Sequence, residues 1–72
     1  MDERILKIAE RIRQIRKENG YGSYDLFAWE HKIPRVQYWQ MEKGTNFTIK
    51  NLLRILDAHN MTMQEFFDGI DN

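Results

Sequence analysis

The chain has 72 residues, 42% of them hydrophobic, with 11 basic and 11 acidic side chains and no cysteine. That length admits one domain with one small core, burying roughly 60% of the surface its unfolded chain exposes. Zero net charge argues against a strongly basic nucleic-acid binder, and the lack of cysteine excludes a disulfide framework or a thiolate metal site.

The stretch DERILKIAERIRQIRKENG (residues 2–20) carries Ile5, Ile8, Ile12 and Ile15 at spacings of 3, 4 and 3, with Ala9 alongside. This is the pattern of a one-faced amphipathic helix. Asp2 suits its N-cap, Lys17 suits the negative end of its dipole, and Gly20 stops it after Asn19. GYGS (residues 20–23) reads as a turn, with Ser23 capping a second helix that runs to about His31 and buries Leu26 and Phe27, with Trp29 as a further candidate.

Pro34 sets the next boundary. Proline disfavours helical geometry in the preceding Ile33 but fits the first position of a new helix, where its missing N–H costs nothing. That helix runs to about Glu42 and ends at Gly44. Thr48 caps a fourth helix with Ile49, Leu52, Leu53, Ile55 and Leu56 as apolar positions, ending near His59 or Asn60. TMQE (residues 62–65) is a capping box opening a short last helix with Phe66 and Phe67, which Gly69 can close. There is no alternating strand pattern, repeat, low-complexity stretch or linker, so residues 1–72 read as a single domain.

The expected architecture is all-α, compact and five-helical. Two short helices joined by a turn of about three residues form a helix-turn-helix, over about residues 23–43, whose second helix can lie in the DNA major groove. On the 3.6-residue period Ile33, Tyr38 and Met41 fall inward, while Arg35, Val36, Gln37 and Gln40 point away. Tyr38 reads as core; Trp39 is open between the two faces. Charge is also unevenly distributed. Residues 32–54 carry a surplus of four positive charges and residues 55–72 four uncompensated acids. Such separation can focus a positive field on one face, or it can be ordinary surface scatter.

With IRKENG (residues 15–20), LFA (26–28), YWQMEKG (38–44) and LLRILDAHNMTMQEFF (52–67) in this order and spacing, the sequence resembles the phage-repressor and Cro type of helix-turn-helix domain, the xenobiotic-response-element family. The resemblance covers about Ile12 to Phe67 and implies a lambda-repressor-like fold. It also implies an ion pair between Arg16 and Glu42, and base contacts from Arg35, Val36 and Gln40. Phosphate contacts are implied for Gln37, Trp39, Lys43, Thr45, Asn46 and Phe47, through side chains and main-chain N–H groups. Side-chain chemistry agrees with the base-reading roles: arginine can grip guanine, glutamine adenine, and valine a thymine methyl, at about 1–3 kcal/mol for a good bidentate pair.

The sequence departs from the family pattern at four places. GYGS holds an extra residue, Tyr24 stands where a phosphate-binding glutamine is common, Lys32 replaces a turn glycine, and Pro34 replaces a Ser or Thr cap. Tyr24 can donate its hydroxyl to a phosphate or pack against Trp29. Lys32 in a left-handed conformation costs more than glycine.

Other chemistry finds little support. His31 and His59 have no companion ligands at metal-binding spacing, Ser23 is better explained as a cap than as a nucleophile, and no glycine-rich phosphate loop is present. The chain is therefore expected not to be an enzyme and to need no cofactor. Neither an apolar run of about 18 residues nor a signal-peptide region is evident, so a soluble, cytoplasmic protein without membrane association is expected. The leading expectation is a sequence-specific, repressor-like transcriptional regulator that binds double-stranded DNA as a homodimer, alone or as a piece of a larger regulator. The alternative is a protein-interaction module of the same fold, antitoxin-like, using the acidic C-terminal face.

Overall fold

In the computed structural model, which describes residues 2–45 and 47–70, the chain forms α1 (Glu3–Glu18), α2 (Tyr24–Glu30), α3 (Arg35–Lys43), α4 (Ile49–Ala58) and α5 (Met63–Asp68). The described residues are all helix, turn or loop, without a strand. A radius of gyration of 11.1 Å matches the value of about 11 Å expected for a close-packed chain of this length.

Each helix start except that of α3 is capped by a side chain named above. Asp2 accepts the Arg4 N–H at 2.8 Å, Ser23 the Asp25 N–H at 3.1 Å, and Thr48 the Asn51 N–H at 3.1 Å. Thr62 and Glu65 close the capping box reciprocally, at 2.9 and 3.1 Å. These bonds satisfy N–H groups that the first helical turn leaves without partners. Pro34 occupies the N-cap of α3 rather than its first helical position, with ψ 124° and no side-chain bond. Its ring sets φ at −54°, and its carbonyl accepts the Tyr38 N–H at 3.0 Å.

The link between α2 and α3 is therefore four residues, His31 to Pro34, one longer than the spacing suggests. Lys32 adopts φ 57°. Its N–H reaches Trp29 O at 3.3 Å while the Ile33 N–H reaches Ala28 O at 2.9 Å, the paired bonds of a Schellman ending. Gly20 and Asn60 occupy the same left-handed position after α1 and α4. Lysine is the exception in the set.

The core gathers Ile12 and Ile15 of α1, Phe27 and Ala28 of α2, Ile33, Tyr38 and Met41 around α3, Leu52, Ile55 and Leu56 of α4, and Phe66 of α5. Two expectations are corrected here. Leu26 and Trp29 are 48% and 78% exposed. At about 100° of rotation per residue, burying Phe27 and Ala28 side by side turns positions 26 and 29 to the opposite face. The apolar stripe of α1 also fades toward its start, where Ile5 and Leu6 lie partly exposed and flank Gly44 at the end of α3.

Candidate nucleic-acid interface

α3 packs against both α1 and α2. Its attachment to α1 is ionic as well as apolar. Arg16 Nε donates to Glu42 Oε2 at 2.8 Å and Nη2 donates to Oε1 at 3.1 Å, with only 6% and 8% of the two side chains exposed. Arg16 Nη1 also donates to Tyr21 O at 2.9 Å, tying in the turn after α1. Burial works against the guanidinium charge, but the Glu42 carboxylate overrides it, so the Arg16 pKa is raised. The Tyr38 hydroxyl lies buried beside this pair without a well-formed hydrogen bond among the described residues. Burial, then the adjacent Glu42 carboxylate, push its pKa far above the ordinary tyrosine range.

With Tyr38, Met41 and Glu42 buried, Arg35, Val36, Gln37, Trp39 and Lys43 of the nine-residue α3 form an outward face. Arg35 and Val36 stand exposed at its start, Val36 at 60%. Arg35 Nε lies 3.6 Å from Asp25 Oδ1 on α2. Gln37 is exposed and its side-chain oxygen accepts from Asn51 Nδ2 at 3.2 Å. Gln40 is half-buried at the flank rather than fully outward, and its backbone carbonyl accepts from the Thr45 N–H and hydroxyl at 3.0 and 3.3 Å. Trp39 is partly exposed beneath Lys43, whose Nζ lies 5.7 Å from the ring centroid. Phe47 is half-buried against the core, so its side chain acts as an anchor, and Asn46 lies outside the described residues. Tyr24 is half-buried, facing Val36 and Trp39 across a notch.

The two sides of this face differ. On one, a groove of about 520 Å³ is lined by Pro34, Gln37, Thr48, Lys50, Asn51 and Arg54, without a carboxylate among them. On the other, α2 supplies Leu26, Trp29 and Asp25 beside Arg35. Lys50, Asn51 and Arg54 join the site although α3 alone does not point to them. Their signal in sequence is the i, i+4 spacing of Lys50 and Arg54 on the polar side of α4, within the positive stretch of the chain.

Among the described residues no group of three or more His, Asp or Glu side chains is placed to hold a metal, and no helix is long and apolar enough to cross a membrane. Comparison with protein-family models, curated proteins and solved structures found no match.

Proposed function

We propose that this chain is a sequence-specific DNA-binding regulator with a lambda-repressor-like helix-turn-helix, in which α3 enters the major groove and α2 crosses behind it. The observation that carries this reading is the divided α3. One side is fixed to α1 by the buried Arg16–Glu42 pair, while Arg35, Val36 and Gln37 stand outward beside a groove carrying Lys50 and Arg54. Arg35 and Val36 supply guanine and thymine-methyl contacts, and Gln40 reaches a base from the flank of the helix. Lys43 and the backbone around Thr45, with Lys50 and Arg54, supply phosphate contacts that set register and salt dependence. A domain of this size covers one half-site, so two copies bind a palindrome with half-sites about one helical turn apart. The function needs neither catalysis nor a cofactor.

Titration of the labelled protein with generic duplex DNA at low and moderate salt tests the reading. Amide shifts centred on residues 35–45 that weaken steeply with salt support it; shifts confined to α5, or none, contradict it.

A second reading, a protein-interaction module of the same fold, is favoured by one observation. Leu26 and Trp29, one turn apart, present a bare apolar surface on α2. On that reading a partner protein perturbs Trp29 while duplex DNA leaves both tryptophans unchanged.

A further inference from the structure

Tyr24, Arg35, Val36 and Trp39 line an open notch of about 240 Å³ between α2 and α3. Its walls are an aliphatic side chain, two aromatic rings and one guanidinium. Val36 and Trp39 keep 60% and 40% of their surface exposed, so neither is sealed in by the core. The guanidinium is approached by Asp25 through Nε at 3.6 Å, a contact compatible with a bidentate grip through its two terminal nitrogens.

The major-groove edges of the four bases restrict what suits such a surface. Thymine alone presents a methyl group there, and guanine alone presents two acceptors to a guanidinium. An apolar recess directly beside an arginine therefore matches a thymine next to a guanine. Resting on the DNA-binding reading above, we propose that this notch receives the C5-methyl group of a thymine adjacent to the guanine gripped by Arg35, with Asp25 as the positioning residue for that arginine. Tyr24 and Trp39 then serve as walls of a base-reading recess instead of phosphate ligands. The opposite groove, with Lys50 and Arg54, is left to follow the backbone.

Replacing thymidine by deoxyuridine removes only the methyl group, so it isolates this contact. In a duplex enriched by the protein from a random pool, each thymidine is replaced in turn. One replacement, next to a guanine, should weaken binding about fourfold, the value of roughly one buried methyl group. Val36→Ser should be indifferent to that same replacement. Asp25→Asn should narrow the preference for guanine over adenine at the adjoining position; the loss of a first-turn acid from α2 lowers its melting temperature by a few degrees at most and leaves base preference elsewhere in the duplex unchanged. If every deoxyuridine duplex binds as well as its parent, the notch assignment is overturned while the enriched duplex still upholds DNA binding. A deoxyuridine effect that persists in Val36→Ser overturns it equally, because the methyl group is then read elsewhere. Failure to enrich any duplex overturns both this inference and the reading on which it rests.

Discussion

Arg16 and Glu42, 26 residues apart in the chain, meet through two hydrogen bonds of 2.8 and 3.1 Å in a site almost closed to water. Removing one member of such a pair strands the other charge in the interior, at a cost of about 3–5 kcal/mol. Small domains hold a total of about 5–15 kcal/mol. Glu42→Ala is therefore expected to unfold at far lower urea concentration than the parent. The joint replacement Arg16→Met with Glu42→Leu, which removes both charges, should recover most of the loss. Urea unfolding of Arg16→Met, Glu42→Leu and the double variant that joins them measures the coupling.

Lys32 occupies a left-handed position that α1 and α4 fill with Gly20 and Asn60. For a residue with a Cβ that conformation costs roughly 1–2 kcal/mol, partly offset by the greater unfolded-state freedom of glycine, about 0.5–1 kcal/mol. Lys32→Gly should stabilise the fold by about 0.5–1 kcal/mol, which corresponds to roughly 3–6 °C in thermal midpoint. Lys32→Val should lower the midpoint. Calorimetry of both variants checks the sign.

His59 stacks on Phe27 at 4.8 Å and 12°, with its Nε2 buried and without a hydrogen-bond partner among the described residues. Burial, and secondarily His31, lower its pKa below the usual histidine value. The unfolded chain thus takes up the proton more readily. Its contribution is complete above about pH 6.5 and is lost as pH falls from there toward the folded-state pKa, at no more than about 1.4 kcal/mol per unit. His59→Leu should flatten the stability profile between pH 7 and the acid limb, as followed by urea midpoints.

Arg11 closes the far end of the fold. Its Nε donates to Phe66 O at 3.0 Å and Nη2 donates to Glu65 O at 3.4 Å; the Phe66 carbonyl thus takes a second donor beside the Gly69 N–H at 3.3 Å. A Cβ at Gly69 would land on this guanidinium. Because the far end of an arginine can swing aside, Gly69→Ala should cost only about what these hydrogen bonds contribute, roughly 1 kcal/mol. Arg11→Met should cost a similar amount, and the two changes together should cost little more than either alone in thermal unfolding.

Local chemistry made most of the helices legible. Asp2, Ser23, Thr48 and Thr62 each announce a start through an oxygen that can reach backbone N–H groups two or three residues on, and those bonds form. Gly20 and Gly44 announce ends through left-handed geometry. The short α2 was harder to orient, because in only seven residues the pair Phe27–Ala28 and the pair Leu26–Trp29 define competing apolar faces. Only contact with Tyr21, Tyr38 and His59 around Phe27 decides between them. Residues contributed by other helices were the least visible part of the candidate site. Asp25, Lys50 and Arg54 acquire their positions beside α3 through packing, which helical period does not encode.

The most direct test of the DNA-binding account is selection of duplexes from a random pool at near-physiological salt, followed by binding of the enriched sequence over a range of salt. The account predicts a palindromic sequence, bound by two copies, with affinity that falls steeply as salt rises. A pool that emerges unenriched, with no salt-sensitive binding to any duplex, would contradict it.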